Sequence, residues 1–396
     1  MKVLYLVCME ITQDNDIHAN QVLSLAGREV DYSFLFLSPK FILNRAGFSL
    51  NRNLYNKEGV KEVKLPILSY HFSMHIIMIP YFLIISMIPF LTYLKRIKPD
   101  IVHCRNLLST LLAVSCKRIF DMNYKIVCDP RSVYVEEQVI QKAFRYNGFN
   151  YRVWKKIESY IYKKSDVCIG LSHYFKVFLQ EYNKNSFYIP AVVNDSLRYN
   201  ENIRKKQREI FNLTDKDFVC CYIGSIGTWH SVDNLLRCID CLKKLLKNEY
   251  SIKIIFLSGN KSACEEIKNR YNESEILKVG RVAPSEISNY LYLSDIGLVP
   301  GSEKTGCCYD LLYDTMVSSK AEEYLCAGLP IMVHPRIKSL VKMVNDIGCG
   351  IVLSDTVDTR INVSRERISE YSLEEFSITN VTISYKKLYD SLMYNK

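Results

Sequence analysis

The sequence predicts an α/β protein with two Rossmann-like, doubly wound domains. Short apolar runs of strand length alternate with longer helical segments, and this alternation is typical of parallel sheets covered by helices on both faces. The runs form two series, which are separated by a polar segment at residues 194–216. The chain has 396 residues, which is long enough for two domains with separate cores.

Each series supplies six candidate strands. The first lies at residues 3–7, 32–37, 101–103, 125–128, 167–169 and 187–189. The second lies at residues 218–223, 252–257, 276–279, 296–299, 331–333 and 351–353. Because the segment 194–216 is rich in Asn, Asp, Lys and Arg, we expect it to be the linker between the two domains.

An apolar stretch at residues 76–90 interrupts the first series. It is long enough to cross a bilayer, but one crossing would place strands of a single sheet on opposite sides of the membrane. Two interpretations stay open: one or two buried helices that are broken at Pro80 and Pro89, or a helix whose apolar face enters the membrane surface.

Basic residues follow this stretch directly, at Lys95, Arg96 and Lys98. Anionic lipid attracts such a group, so residues 71–98 are a candidate for peripheral contact with a membrane. The whole chain has a net charge of +10, which suits an anionic partner. No nucleic-acid-binding motif is present, and we expect no nucleic-acid partner.

The fourteen cysteines are expected to be reduced thiols in the cores of the domains, because Cys8, Cys104, Cys128, Cys168 and Cys220 lie in or beside apolar runs. The first strand is not preceded by a basic region and a cleavage site, so we expect no export signal. The predicted location is cytoplasmic, with a peripheral position at the inner face of the cell membrane as a further expectation.

Polar side chains follow two strands of the first series. Asp129, Arg131 and Glu136 come after the run at 125–128, and a carboxylate and a guanidinium there can bind a sugar hydroxyl and a phosphate. Asp129 and Arg131 can equally pair with each other and fix the loop. His103 and His18, in the same half of the chain, are further candidates for contact with a substrate, although a single His is more often structural.

In the second series a glycine-rich turn with Gly224, Ser225 and Gly227 separates the first strand from a helix that starts near residue 232. Glycines allow a diphosphate to approach the backbone, and the amides at a helix start are hydrogen-bond donors.

Residues 318–335 predict a helix, a left-handed Gly328 and a buried strand. The start of this helix carries more polar side chains than packing requires, namely those of Ser318, Ser319, Lys320 and Glu323. The string resembles the nucleotide-sugar motif of GT-B glycosyltransferases of family 4. The matching residues are Lys320, Glu323, Tyr324, Leu325, Cys326, Gly328, Leu329 and Pro330.

The resemblance extends over most of the chain, and it implies a GT-B fold with two Rossmann-like domains that face an interdomain cleft. The domains would be residues 1–195 and 196–370, and a helix in residues 371–396 would pack back on the first domain. Glu323 would bind the ribose, and Ser318 and Ser319 would line the phosphate and sugar pocket.

The resemblance also implies roles for other loops. The loop with Arg281 and Val282 would contact the base, Asp129 and Arg131 would position the acceptor or donor sugar, and Lys320 with the Gly224 turn would stabilise the leaving group. This chain departs from the pattern in two places. Ser225 and His230 stand where the glycine-rich loop often carries Arg and Lys, and Thr315 replaces the first of two glutamates. The missing positive charge then has to come from Lys320, Lys304 or Arg281, or backbone amides have to replace it.

The activity implied is a retaining, metal-independent sugar transfer from a nucleotide-diphosphate donor, with UDP or GDP expected, to a lipid-linked glycan or a surface polysaccharide such as capsule or O-antigen. No separate cofactor is expected, and no Asp-x-Asp motif lies in a suitable loop. The alternatives are a nucleotide-sugar 2-epimerase and a catalytically inactive GT-B scaffold protein.

Overall fold

A computed structural model describes residues 1–8, 30–39, 60–65, 75–227, 229–246, 249–354 and 363–394. The chain forms two compact units, one of Met1–Val192 with Val381–Lys396 and one of Val193–Asn380. The sequence places the corresponding limits after residues 195 and 370.

The first unit contains a parallel sheet of seven described strands in the order β3-β2-β1-β4-β5-β6-β7. The strands are β1 (Lys2–Cys8), β2 (Asp31–Pro39), β3 (Val60–Leu65), β4 (Ile101–Arg105), β5 (Lys125–Asp129), β6 (Val167–Gly170) and β7 (Ser186–Tyr188). The six strands predicted for this series are confirmed. The sequence analysis missed β3 because three of its six residues, Lys61, Glu62 and Lys64, are charged and it forms no apolar run.

Helices join the strands of the first unit. They are α1 (Ile79–Ile97), α2 (Leu107–Ile119), α3 (Tyr134–Ile140), α4 (Phe149–Lys164) and α5 (His173–Gln180). The prediction that Pro80 and Pro89 break the apolar stretch is wrong, since α1 continues through Pro89. Pro80 stands in the first turn, where a helix needs no amide donor.

The second unit has six described strands, all parallel, in the order β10-β9-β8-β11-β12-β13. They are β8 (Asp217–Ile223), β9 (Ser251–Leu257), β10 (Ile276–Val279), β11 (Ile296–Val299), β12 (Ile331–Val333) and β13 (Gly350–Val352). This is the doubly wound order of a Rossmann domain. Side chains of β8 enter two different cores, Cys221 on one face and Tyr222 on the other, so both faces of the sheet are covered.

The helices that follow in the chain are α6 (Glu201–Ile210), α7 (Val232–Leu246), α8 (Lys261–Arg270), α9 (Ile287–Leu293), α10 (Cys307–Thr315), α11 (Ser319–Cys326), α12 (Lys338–Ile347), α13 (Arg365–Phe376) and α14 (Ile378–Tyr394). The last of them lies within residues 371–396, where the sequence analysis expects a terminal helix. Its residues from Val381 onward belong to the first unit.

The predicted linker at residues 194–216 is not simply a linker, because it contains α6. Asn200 caps this helix by accepting hydrogen bonds from the amides of Asn202 and Ile203. Arg204 and Arg208 of α6 both pair with Asp295, which stands directly before β11. The charged residues that suggested a linker therefore attach α6 to the second unit.

The cysteines named in the sequence analysis are buried, as predicted for small core residues. All fourteen cysteines of the chain are free thiols. Cys238, on α7, packs in a core of the second unit, and Cys241 is half-buried one turn later.

Candidate functional site

The first functional loop follows β8 and starts at Gly224. This residue has φ +122°, which side chains rarely adopt, and a Cβ there would lie 2.3 Å from Cε of Lys320. Glycine is therefore required both by the backbone conformation and by the approach of the lysine. The side chain of Lys320 crosses the loop at the carboxyl edge of the sheet.

Lys320 is held only by neutral groups. Its Nζ lies 3.3 Å from the hydroxyl of Tyr222 and 3.3 Å from the carbonyl oxygen of Ser225, and it stands 5.1 Å from the centre of the Tyr222 ring. Within the described part of the chain, no carboxylate forms an ion pair with it. Burial lowers the pKa of Lys320 to about 8, although the charge of Glu323 acts in the opposite direction. We call Lys320, Tyr222, Gly224 and Ser225 the Lys320 site.

The helix α11 presents the lysine. Gly328 follows it with φ +67°, the left-handed conformation predicted for this helix end. The hydroxyl of Tyr324 accepts a hydrogen bond of 2.8 Å from the amide of Ile223, which ties the helix to the end of β8. Glu323 is half-buried and lies one turn from Lys320, so the two side chains share a helix face.

The two serines stand at the start of the same helix. Ser318 is buried and Ser319 is half-buried. Ser318 occupies the cap position, but its side chain makes no capping hydrogen bond.

Two glycine amides of the loop are already used within the protein. The amide of Gly224 donates to the carbonyl oxygen of Leu257 (2.8 Å), and the amide of Gly227 donates to that of His230 (2.7 Å). A ligand at this loop therefore cannot use these two donors, and its charge has to be met by side chains or by other amides.

Arg281 is a second cation at this edge of the sheet. A Cβ on Gly259 would lie 2.5 Å from Nε of Arg281, so the guanidinium lies directly over that glycine. Gly259 follows β9, the neighbour of β8, and Arg281 follows β10. Val282 is half-buried and its side chain packs against the core of the second unit, so only its backbone could bind a ligand through a hydrogen bond.

In the first unit, four polar side chains project from one face of the sheet. Tyr5 of β1 stands opposite His103 of β4, and Arg105, two residues later, stands opposite Asp129 of β5. Because side chains alternate along a strand, this register places all four on the same face. The sequence pattern alone suggested His103 and Asp129 separately, without the register that joins them.

Two of these side chains, those of His103 and Asp129, contact two further residues, Arg131 and Tyr389. Nε2 of His103 lies 3.5 Å from Oδ2 of Asp129, and the guanidinium of Arg131 lies 3.3 Å from the same oxygen. Nδ1 of His103 contacts the hydroxyl of Tyr389, on α14, at 2.6 Å. We call Asp129, Arg131, His103 and Tyr389 the Asp129 cluster. It contains the Asp129–Arg131 pair that the sequence analysis considered as a structural alternative.

The charges of this cluster are fixed. Burial would raise the pKa of Asp129, but Arg131 and the nearby ring of His103 outweigh it and hold that pKa well below its ordinary value. Burial lowers the pKa of His103, and the neighbouring carboxylate only partly offsets this effect. The cluster therefore holds an ionised carboxylate, a guanidinium and a neutral imidazole.

Glu136 belongs to a different group. It lies on α3, and its Oε1 accepts from Nζ of Lys155 (3.0 Å) and from the hydroxyl of Tyr151 (3.2 Å). The same lysine pairs with Glu158, whose pKa burial raises to about 7. Within the described residues, neither Glu136 nor Lys155 forms a hydrogen bond with the Asp129 cluster. His18 lies outside the described residues.

Sequence reasoning missed Tyr222 in the second unit and Arg105 and Tyr389 in the first. Tyr222 and Arg105 lie at or next to the carboxyl ends of their strands. A search for polar residues at the end of each predicted strand would therefore have found them. Tyr389 is 286 residues from His103 along the chain, and no local pattern indicates that contact.

Within the described ranges, no group of three or more His, Cys, Asp or Glu side chains could hold a metal ion. Helix α1 with the turn before it, Ile76–Ile97, is long and apolar enough to cross a membrane by length and composition, and 28% of its most apolar window is buried.

No protein-family model matches the chain. An uncharacterised glycosyltransferase of Methanocaldococcus jannaschii is 22% identical over 324 residues, which are 76% of this chain and 77% of the relative. Sucrose-phosphate synthase of Thermosynechococcus elongatus superposes with a TM-score of 0.69 at 14% identity over 100% of both chains. The Anabaena protein HepE in complex with UDP gives a TM-score of 0.64 at 11% identity over 99% of this chain and 100% of its own.

The fold is of the GT-B class. The predicted pair of Rossmann-like units is thus confirmed, and the similarity extends over both of them. At these identities the solved structures establish the GT-B architecture and leave the chemistry to the residues of the site.

Proposed function

We propose that the protein is a glycosyltransferase that takes its sugar from a nucleotide-diphosphate donor bound at the Lys320 site. The observation that carries the proposal is the half-buried cation itself: Lys320 has neutral partners only, at the carboxyl edge of a Rossmann sheet, where such sheets bind nucleotides. Burying a cation without a counter-charge costs stability, and strongly perturbed groups of this kind concentrate at functional sites.

The comparisons support a nucleotide sugar as the substrate. The structural neighbour HepE binds UDP, and the archaeal relative carries the name of a glycosyltransferase. The motif around Glu323 resembles that of family 4 enzymes. From this resemblance we infer that the protein transfers the sugar with retention of configuration and without a metal ion. UDP and GDP are the bases we expect.

In this proposal each residue of the candidate site has a separate role. Lys320 neutralises the departing diphosphate, and Arg281 supplies further positive charge at the same edge. Glu323 accepts hydrogen bonds from the ribose hydroxyls, with Ser318 and Ser319 beside it and Val282 near the base. Asp129 and Arg131 position the acceptor or donor sugar, and His103 lies beside Asp129. The acceptor is a lipid-linked glycan or a surface polysaccharide such as capsule or O-antigen.

The test is calorimetric titration of the protein with UDP and GDP. Lys320→Met should weaken binding of the preferred nucleotide by about tenfold or more, since a charge-assisted hydrogen bond contributes about 1.5 to 3 kcal/mol. Lys268→Met is the matched control, because Lys268 is exposed on α8. Absence of any binding by the unmodified protein rejects the donor site, and equal affinity of both variants rejects the role of Lys320.

Two other functions predict different results. A nucleotide-sugar 2-epimerase converts the donor without any acceptor, so product analysis with the donor alone separates it from a transferase. A catalytically inactive GT-B scaffold is suggested by the replacement of the expected Arg and Lys by Ser225 and His230, and of the first Glu by Thr315. Such a scaffold would bind no nucleotide diphosphate.

We also propose that α1 docks the protein on an anionic membrane, at the inner face in a cytoplasmic setting. Phe82 and Phe90 are buried, whereas Ile84 and Ile88, on the opposite face, are 65% and 69% exposed. The last turn carries Lys95 and Arg96. An exposed apolar stripe that ends in basic residues fits the boundary between headgroups and acyl chains.

Sedimentation with vesicles tests this docking. The protein should bind vesicles that contain phosphatidylglycerol and should bind phosphatidylcholine vesicles weakly. Substitution of both Ile84 and Ile88 by Gln should reduce binding to the anionic vesicles, while substitution of Ile119 and Ile210 by Gln, which are 61% and 59% exposed elsewhere, should not. Equal binding of the two double variants rejects α1 as the docking surface.

A further inference from the structure

The turn before α4 presents an aromatic side chain to solvent. Phe149, the first residue of α4, is 73% exposed, and Tyr146 is 45% exposed. A single exposed aromatic residue is common on soluble proteins, so the neighbouring surface decides whether this one has a function. We call residues 142–149 the Phe149 turn.

Hydrogen bonds fix the conformation of the Phe149 turn. The amide of Gly148 donates to the carbonyl oxygen of Arg145 (2.9 Å). Nε of Arg152 donates to the carbonyl oxygen of Asn147 (2.6 Å), which ties the turn to the first turn of α4. The backbone therefore holds the ring of Phe149 in its exposed position.

The Phe149 turn adjoins the start of α1. The amide nitrogen of Ile76 lies 3.5 Å from Oδ1 of Asn150, and the residues directly before α1 pack against α4. Ile77 and Phe149, the chain neighbours of this pair, are 74% and 73% exposed. Exposed apolar side chains of the turn and of α1 therefore lie next to each other.

The apolar surface continues along α1. Ile77, Tyr81, Ile84 and Ile88 recur at the spacing of one helix face and are 41% to 74% exposed. Lys95, which is exposed, follows Ile88 by two turns on the same face. The stripe therefore extends along the whole helix, about 28 Å for its 19 residues.

The charges of this surface identify its partner. Lys142 and Arg145 are exposed in the Phe149 turn, near the end of the stripe that is remote from Lys95. The sequence has no Asp or Glu in residues 63–99 or in residues 138–157. An apolar stripe with an aromatic residue at its edge and basic residues near both ends fits an anionic bilayer. A second copy of the chain would bring the same positive charges face to face, which is unfavourable.

We propose that the Phe149 turn is a second membrane anchor. Phe149 enters the boundary between headgroups and acyl chains, and Lys142 and Arg145 bind lipid phosphates. This inference depends on the proposed docking of α1 and extends it, because an anchor near each end makes the helix lie flat on one leaflet. A helix that spans the bilayer would instead have its two ends at opposite surfaces.

Sedimentation with vesicles of equal parts phosphatidylglycerol and phosphatidylcholine tests the aromatic part of the anchor. Phe149→Gln should weaken binding by roughly tenfold, because the ring no longer leaves water. Phe187→Gln is the matched control in the same unit, since Phe187 lies on β7 and is 44% exposed, and it should leave binding unchanged. Both variants should keep the unfolding temperature of the unmodified protein.

The same assay tests the basic residues. Substitution of both Lys142 and Arg145 by Gln should weaken binding by roughly tenfold or more, because each of the two charges is attracted to the anionic surface. Substitution of both Lys261 and Lys268 by Gln is the control. These two lysines are exposed on α8 in the second unit, so the net charge changes equally and binding should change little.

Fluorescence measures the orientation of α1. Phe149→Trp and, in a separate protein, Ile88→Trp each add one tryptophan to the two of the chain. Lipids that carry bromine near the headgroup or near the chain end quench tryptophan according to its depth. Both added tryptophans should be quenched most by the shallow bromine. Ile88 is the middle residue of α1, so stronger quenching of Ile88→Trp by the deep bromine would indicate a spanning helix and overturn the flat arrangement.

The possible results distinguish the two proposals. If the unmodified protein does not bind the anionic vesicles, the docking of α1 fails and the second anchor fails with it. If it binds, while Phe149→Gln and the double variant of Lys142 and Arg145 bind as tightly as their controls, the second anchor is overturned and the docking of α1 stands. If Phe149→Gln changes the oligomeric state without lipid and leaves vesicle binding unchanged, the turn belongs to a contact between copies of the chain, which also overturns the anchor.

Discussion

The Asp129 cluster and the Lys320 site both lie at the ends of parallel strands, but their charges are balanced in opposite ways. In the Asp129 cluster, a fully buried carboxylate faces Arg131 and a neutral His103. In the Lys320 site, a cation faces a hydroxyl, a carbonyl oxygen and an aromatic ring. In the first arrangement the carboxylate has a counter-charge within the protein, although its Oδ1 has no hydrogen-bond partner among the described residues, whereas the second leaves a positive charge for a ligand. The difference predicts that substitutions in the cluster mainly change stability and those in the site mainly change binding.

The largest effect should come from Asp129→Asn. This change removes the carboxylate that pairs with Arg131 and leaves the guanidinium without its counter-charge, which costs about 3 to 5 kcal/mol for a buried pair. Scanning calorimetry measures it as a lower unfolding temperature. Asp166→Asn is the control in the same unit, because Asp166 pairs with Lys117 and Lys125 with 21% of its side chain exposed, and it should cost less than about 1 kcal/mol. Similar losses for both variants would mean that the cluster is not a buried ion pair.

Lys320→Met should act in the other direction and stabilise the ligand-free protein. A lysine whose pKa falls from 10.5 to about 8 is less favourable in its charged form after folding, so its removal stabilises at neutral pH. At about 1.4 kcal/mol for each pKa unit, the gain is on the order of 1 to 3 kcal/mol. It should shrink as pH rises from 8 to 10.5, because the lysine of the folded protein then loses the unfavourable charge, and above 10.5 the lysine is neutral in both states. Destabilisation at pH 7 would show that Lys320 is a packing residue.

The strands and the fold class could be predicted because buried parallel strands are continuous apolar runs, which the sequence displays directly. Glu323 and the Gly224 turn could be predicted as parts of a binding site because the residues that identify each of them are close together in the sequence. The contacts of Lys320 with Tyr222, and of His103 with Tyr389, join residues 98 and 286 positions apart, and only the folded chain brings them together. The sequence predicts a linker in place of α6, because the partner of its charged residues, Asp295, is far away in the sequence.

An effect of intermediate size is expected in the pH dependence of nucleotide binding, which should distinguish the Lys320 site from the Asp129 cluster. Protonated Lys320 attracts the diphosphate, and its pKa of about 8 means that the cation is lost as pH rises through that value. Affinity for UDP should therefore fall roughly tenfold between about pH 7 and pH 9, and the affinity of Lys320→Met should change little. Calorimetry at several pH values measures both curves. Parallel curves for the two proteins would assign the pH dependence to another group.

The smallest effect should come from Tyr389→Phe, which removes the hydroxyl that contacts Nδ1 of His103 at 2.6 Å. The imidazole is fully buried, so its nitrogen is left without this partner, at a cost of about 1 to 2 kcal/mol. Tyr394→Phe is the control on the same helix, because Tyr394 is 84% exposed and its hydroxyl is in water, and it should leave the unfolding temperature unchanged. UDP affinity should be the same in both variants, since Tyr389 belongs to the first unit and the Lys320 site to the second. A weaker affinity in Tyr389→Phe alone would show that the Asp129 cluster and the Lys320 site are coupled, and the division between a structural cluster and a binding site would then be wrong.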